Sequence, residues 1–455
     1  MIDEREIIER AVRALESDEP GLERMLRRRD RKRRNQRLRA GVIAVVIAIV
    51  GVGLFLRAER SDESVPADRP ITVDNVGDLQ VTWTASAPGG GEFANIRAAD
   101  GMVFVTAFEK RHGTLLAFPQ DCATTCAPIW RASIGCCESM PDGPLVMDGM
   151  VFVTEGDTLY AFDEHCATGG APCQPLWRGV VLDAAQYQPV GADGIVYTGS
   201  TGGTLYAWDE VCGSGDSACA PIWASASQHN PLQPSGVADG LVYVGPLDSD
   251  SASHLNAVYA FPAVCTDGCR PTAKALLPVD LASRPAVLGG TVVVGTASLD
   301  TGSGTAVAYP RSCAFEPGCT PQWQGTMPGA GNMPDPIVAD GVVFFTSTVD
   351  GFVRAFPSSC TDPCSPLWTA IMFDPSLNEP VAADGLFYLP STTLGLLIYP
   401  VACATHDGVC DSIWTSLDTV SATVSGVAVD GGRVFIRTTD GRLIALAPMT
   451  APSGK

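Results

Sequence analysis

The chain has 455 residues, 46% hydrophobic and 18% charged, with 47 Gly, 34 Pro and 16 Cys. This composition supplies a large core and excludes a disordered polymer. A net charge of −20 excludes a generic nucleic-acid binder, because an acidic surface repels phosphates and forgoes counterion release.

The N-terminus runs against that total. Residues 1–39 hold 13 Lys and Arg against 9 Asp and Glu, whereas residues 57–455 hold 17 against 41. Ile8, Val12 and Leu15 fall at i, i+4 and i+7 and predict a short amphipathic helix, either simply solvated or docking a cytoplasmic partner. The segment weakly resembles the cytoplasmic parts of single-pass bacterial regulators that hold a sigma factor, without sharing a motif with them. Residues 40–56 are seventeen consecutive apolar or glycine residues. They make about 25 Å of helix at 1.5 Å per residue, near the lower limit for crossing a bilayer. The Arg-rich stretch from Arg24 to Arg39 precedes this run, so the positive-inside bias keeps the N-terminus cytoplasmic and places the remainder outside. The same arginines face anionic lipid headgroups. A cleaved signal peptide is the competing reading. A leader of about forty residues argues against it, as does the flank Arg57-Ala58-Glu59-Arg60, which offers no small-x-small cleavage site. The expected layout is a cytoplasmic segment 1–39, a transmembrane helix 40–57, a linker 58–69, a repeat domain 70–448 and a tail 449–455 in the cell membrane.

From Ile71 the sequence repeats with a period in the mid-forties. Trp83, Trp130, Trp177 and Trp223 stand 47, 47 and 46 residues apart, and Trp323, Trp368 and Trp414 stand 45 and 46 apart. The interval from Trp223 to Trp323 holds two units, the inner one lacking its tryptophan near Thr272. A unit opens on a polar or glycine residue and proline, as in Gly143-Pro144, Gln188-Pro189, Gln233-Pro234, Arg284-Pro285, Asp335-Pro336 and Glu379-Pro380. A two-residue turn follows, Asp-Gly in most copies, then strands such as Val151-Phe152-Val153 and Leu159-Tyr160-Ala161-Phe162. A cysteine-bearing tip and a short strand near the tryptophan close the unit. Four short antiparallel strands per repeat predict a propeller blade. Eight copies of strands one to three begin near Ile96, Pro144, Pro189, Pro234, Pro285, Pro336, Pro380 and Val427, and the last copy lacks a fourth strand. Leu79-Gln80-Val81-Thr82-Trp83 has that strand's pattern. The prediction is an all-β, eight-bladed propeller closed by its N-terminal strand, which removes exposed sheet edges.

The opening Val73-Asp74-Asn75-Val76-Gly77-Asp78-Leu79-Gln80-Val81-Thr82-Trp83 and the Ala-aromatic-Asp or Ala-aromatic-Pro before each tip resemble the pyrroloquinoline quinone (PQQ)-type repeat family. That family contains quinoprotein alcohol dehydrogenases and non-enzymatic scaffolds such as the outer-membrane assembly lipoprotein. The resemblance spans about residues 70–448 and implies the fold more than an activity. Asp163 and Asp209 keep the acidic residue after the Ala-aromatic pair, whereas Pro119, Pro262, Pro310, Pro357 and Pro400 replace it.

All sixteen cysteines lie in the acidic part, and their even number points to disulfides formed in an oxidising compartment. Seven pairs occupy the tips: Cys122/Cys126, Cys166/Cys173, Cys212/Cys219, Cys265/Cys269, Cys313/Cys319, Cys360/Cys364 and Cys403/Cys410. Local bridges are expected, each stiffening its own tip without joining blades. A metal reading fails because the pairs are spread around a ring and the histidines do not accompany them. Cys136 and Cys137 stand apart. Gly135-Cys136-Cys137 resembles the vicinal disulfide that packs against the quinone in quinoprotein alcohol dehydrogenases, which makes these two the candidate cofactor contacts. That family's site also needs a calcium-binding Glu and Asn, a catalytic Asp and a quinone-clamping Arg. Glu138, Asn230, Asp335 and Arg284 are single candidates matched by no motif.

Around the axis, the residues before the first-strand prolines, Gln188, Gln233, Arg284, Asp335 and Glu379, with Glu138, are expected to form a polar ligand-binding mouth or to line a wet channel. No phosphate loop, zinc-protease helix or nucleophile elbow occurs. The favoured expectation is a binding or scaffold module without catalytic residues, metal or cofactor, taking a protein or peptide on the propeller face. The alternatives are a PQQ- and calcium-dependent dehydrogenase, and a sensor whose residues 1–39 regulate a cytoplasmic partner.

Overall fold

Each repeat begins to fold at its tightest turn. Asp100, Asp148, Asp193, Asp239, Asp340 and Asp384 take φ of 49 to 53°, and the glycines that follow them take 73 to 82°. This pair of left-handed residues gives the hairpin turn whose twist matches the flanking strands, and Asp and Gly tolerate it best. Gly431-Gly432 serves blade 8 in the same way. The computed structural model describes residues 69–449, except 110–111, 137–141, 167–171, 185–186, 213–217, 229–230, 247–255, 278–280, 299, 312–318, 330–334, 348, 373–379 and 405–407. The expected cytoplasmic segment and membrane helix lie outside the described residues. Among the described residues no helix is long and apolar enough to cross a membrane.

The strands form eight antiparallel sheets. Blade 1 consists of Glu92–Ala99, Met102–Glu109, His112–Pro119 and Trp130–Cys136. Blades 2 to 7 repeat that order, their first strands being Asp142–Met147, Val190–Ala192, Leu232–Ala238, Ala286–Leu288, Ile337–Ala339 and Val381–Ala383. Blade 8 joins Val424–Asp430, Arg433–Thr438 and Arg442–Pro448 to the N-terminal strand Leu79–Ser86, which pairs with the third of these from Leu79↔Pro448 to Ser86↔Arg442. The closure expected from the sequence is thus present.

Second and third strands lie inside each sheet and between two neighbouring sheets, so they are buried on both faces. Met150–Glu155 and Val342–Thr346 are buried at every position, which explains why these strands read as continuous apolar runs. The core is divided into clusters that sit between adjacent blades. Phe104 and Trp130 of blade 1, for example, pack with Val151, Val153 and Phe162 of blade 2. The tryptophan that starts an outer strand locks such a junction. Trp130 lies against Phe104 of its own blade and Phe162 of the next, and its Nε1 donates to the Glu164 carbonyl at 2.9 Å. Trp83, Trp177, Trp323 and Trp368 donate likewise to the carbonyls of Gln120, Glu210, Ser358 and Val401. The missing tryptophan is located by register. Ala273 faces Ala260 as Trp130 faces Ala117, so the vacated position is 273, one residue beyond Thr272.

Six tip disulfides are formed, at Cys122–Cys126, Cys166–Cys173, Cys212–Cys219, Cys265–Cys269, Cys360–Cys364 and Cys403–Cys410, with Cα separations of 5.6 to 6.0 Å. Cys319 is also bonded, and Cys313 lies outside the described residues. One expectation needs correction, because the tips do join blades. The amide of the second cysteine donates to the preceding blade's outer strand: Cys126 to the Thr84 carbonyl (2.8 Å), Cys173 to Arg131 (2.7 Å), Cys364 to Gln324 (2.7 Å) and Cys410 to Thr369 (2.7 Å). Ala218–Cys219 of blade 3 extends blade 2 as a short parallel strand. An outer strand has one open edge, and the cysteine-bent tip of the next blade satisfies part of it.

Candidate binding channel

The first strand of each blade has a hydrogen-bonded neighbour on one side only. Such an edge accepts proline, which has no N–H to give, and it commonly carries bulges. Register shifts occur at this point between Phe93 and Ile96, Asp142 and Leu145, Pro234 and Gly236, and Val424 and Gly426. In blade 5 the strand is interrupted outright, with Leu281–Ala282 and Ala286–Leu288 flanking Ser283-Arg284-Pro285. The sequence signal of a polar residue before proline therefore marks the bulged inner edge of a blade.

These inner edges enclose a cavity of about 720 Å³ lined by residues from seven consecutive blades. Pro144, Pro189, Pro285, Pro336 and Pro380 are part of its wall, together with Arg97, Gln188, Arg284 and Asp335. Contributions from so many blades identify it as the axial channel. The strand ends that bear Gln188, Arg284 and Asp335 lie beside the hairpins joining second to third strands, since Asp142 pairs with Thr154 next to that turn. Asp-Gly turns and disulfide tips occupy the opposite ends of the strands.

Three of the residues singled out in the sequence are brought to this cavity. Gln188 is half-buried in its wall. Arg284 and Asp335 form a clasp from blade 5 to blade 6, in which the Arg284 amide donates to Asp335 Oδ1 at 2.8 Å and the guanidinium engages Asp335 Oδ2. Gln233 is buried, with 8% of its surface exposed, and does not appear among the lining residues. Glu138, Asn230, Cys137 and Glu379 lie outside the described residues. Cys136 ends the outer strand of blade 1, paired with His112. Among the described residues no group of three His, Cys, Asp or Glu could hold a metal ion.

Two residues that the sequence analysis passed over belong with this end of the propeller. Arg97 is exposed in the channel wall and makes no ion pair among the described residues. It pairs with Phe104 at the register position where Leu145 pairs with Phe152 and Ala286 with Val293, so an alignment of the repeats would have exposed it as a charge in an apolar column. Glu155 ends the second strand of blade 2 and is 4% exposed, with no partner for Oε2. Burial pushes its carboxyl up to about 7. The backbone at Gly135 passes close to it: a Cβ there would meet Tyr160 Oη at 3.1 Å and Glu155 Cγ at 3.2 Å.

Compared with models of protein families and with curated proteins, the sequence matches none. Solved structures share the fold. The Dos1 propeller aligns with a TM-score of 0.60 at 11% identity, covering 82% of this chain and 96% of that one. BamB from Moraxella catarrhalis aligns with a TM-score of 0.57 at 13% identity, covering 81% and 99%. A quinohemoprotein alcohol dehydrogenase from Comamonas testosteroni aligns with a TM-score of 0.57 at 11% identity, covering 84% and 79%. At such identities the likeness establishes the propeller alone.

Proposed function

We propose that the chain is a membrane-anchored, extracytoplasmic propeller that acts as a binding or scaffold module, taking a protein or peptide segment at its axial channel. The observation that carries this reading is the cavity built jointly by seven blades, with prolines blunting its edges and Arg97 presenting a guanidinium to whatever enters. Apolar walls with a few convergent polar groups suit an extended peptide, and an acidic or carbonyl group on it would meet Arg97. The outside location is supported by the disulfides, which persist in oxidising compartments, and by the arginine-rich flank of residues 40–56.

The dehydrogenase alternative asks for calcium, which takes six to eight oxygen ligands. The described channel wall carries one carboxylate, Asp335, already held by Arg284, and it does not fit that ion with its quinone. BamB and the alcohol dehydrogenase each resemble the fold, and neither decides the task.

A photo-crosslinking side chain at Val190, in the channel wall, tests the reading in the full-length chain. It is expected to capture a partner from membranes, and Arg97→Glu is expected to abolish capture. Capture indifferent to Arg97→Glu, or dye-linked alcohol oxidation after addition of PQQ and calcium, would overturn it.

A further inference from the structure

The outer strand of blade 4, Ala273–Leu277, starts with alanine where blades 1, 2, 3, 5, 6 and 7 start with Trp130, Trp177, Trp223, Trp323, Trp368 and Trp414. The registers Ala260↔Ala273 and Ala355↔Trp368 show that these are equivalent places. Where the tryptophan is present, its indole rests between an aromatic of its own second strand and the third strand of the next blade. Phe344 and Tyr399 flank Trp368 in this way, and its N–H reaches the carbonyl just beyond that strand. The corresponding groups around position 273 are Tyr243, Tyr309 and the carbonyl of Arg311.

The structure has an open hollow of about 420 Å³ at this junction, lined by Asp239, Leu241, Tyr243, Gly290 and Arg311. Two of these residues, Tyr243 and Arg311, stand where the absent indole would find its stacking face and its acceptor. The remaining chemistry differs from that of a slot that has merely lost a side chain. Tyr243 is 1% exposed and its hydroxyl has no hydrogen-bond partner. In blade 3 the equivalent Tyr197 donates to the Ala263 carbonyl at 2.8 Å. Arg311 reaches back across the junction to pair with Asp239, which places a guanidinium beside the hollow. Truncating a buried tryptophan ordinarily leaves a costly cavity, and here the lining offers an aromatic face, a cation and an unpaired hydroxyl.

We propose that the hollow between blades 4 and 5 is a binding site for an indole ring, its face against Tyr243 and its N–H donating to the Arg311 carbonyl. The site is separate from the axial channel. The ring comes either from a free indole compound or from a tryptophan side chain of a partner, and the same chemistry serves both.

Saturation-transfer NMR on the full-length chain tests this with indole, 1-methylindole and N-acetyl-tryptophanamide as probes. Indole is expected to bind saturably. In Ala273→Trp, which fills the slot from within, binding is expected to fall at least about tenfold, and 1-methylindole, which cannot donate, is expected to bind the native chain about tenfold more weakly than indole. Amide binding equal to that of indole identifies a protein side chain as the source, and binding of indole alone identifies a small molecule. Should Ala273→Trp fail to fold by circular dichroism, Ala273→Leu narrows the same space. Absence of saturable indole binding, equal binding to a folded filled variant, or equal binding of 1-methylindole would overturn the proposal.

Discussion

At the end of the second strand, blades 3, 6, 7 and 8 place a hydroxyl that caps the following turn. Ser200, Ser347, Ser391 and Thr438 accept from the amides of Thr204, Asp350, Leu394 and Arg442. Blade 2 places Glu155 there. A carboxyl is too long for the cap, and it is buried against Gly135 with one oxygen unpartnered. Its ionised form is the costly one, so burial raises its titration from the ordinary 4.5 to about 7. Between those values the folded chain holds a proton that the unfolded chain has released. Stability therefore falls as pH rises through this window and levels off above it. Glu155→Gln keeps the shape and removes the titration. At pH 8 the variant is expected to exceed the native chain by about 2 kcal/mol, with most of that gain gone at pH 5. Urea unfolding of both chains at the two pH values measures it, and a difference that does not change with pH would mean the carboxyl is ionised throughout. Trp223 offers a contrast at the same scale. Its Nε1 has no partner, because the carbonyl of Ala263, equivalent to those its sister tryptophans use, is taken by the Tyr197 hydroxyl.

At the scale of the element, the tip is the unit that links chemistry to assembly. Cys360 and Cys364 close a loop with a sequence separation of 4. Within it Asp362 accepts from the Gln324 amide at 2.9 Å while the Cys364 amide donates to the Gln324 carbonyl at 2.7 Å. Removing the bridge with Cys360→Ser and Cys364→Ser frees the unfolded loop and is expected to cost about 2 kcal/mol on the chain-entropy estimate. Because the tip belongs to two blades, amide exchange at Gln324 in blade 5 is expected to accelerate along with the tip's own. Acceleration confined to residues 358–366 would show that the bridge acts within its own blade. The sequence carried the cysteine pairing and the hairpin turns openly, because both are local: a short loop closes its own sulfurs, and Asp-Gly supplies its own left-handed pair. The contact of each tip with the neighbouring blade was not legible, since it is made by backbone amides whose partners lie about forty residues away in sequence and carry no distinctive side chain. The channel was half legible for the same reason. A polar residue before proline marked Gln188, Arg284 and Asp335. Arg97 was hidden because blade 1 lacks the proline, and Gln233 carried the same signature and yet turned into the protein.

At the scale of the whole molecule, eight junctions must close on one another, and the chain seals the ring with strands from its two ends. Leu79–Ser86 completes blade 8, and the seam is held on its far side by contacts to blade 1. Trp83 lies between Phe435 and Phe118 and donates to the Gln120 carbonyl at 2.8 Å. Gln120 in turn donates to Asp430 Oδ2 at 2.6 Å, and Arg433 pairs with Asp121. Without the closing strand, Arg442–Pro448 becomes a bare edge whose N–H and C=O groups invite pairing with another chain. Deleting residues 79–86 from the full-length chain should therefore convert a monodisperse propeller into oligomers and aggregates. Trp83→Ala, which keeps the ladder and empties the seam, should leave the ring closed at a cost of about 3 to 5 kcal/mol. Light scattering after size exclusion separates the two outcomes and urea unfolding measures the second. If the deleted chain stays monodisperse and unfolds in one cooperative step, the seven complete blades suffice, and closure does not hold the ring together.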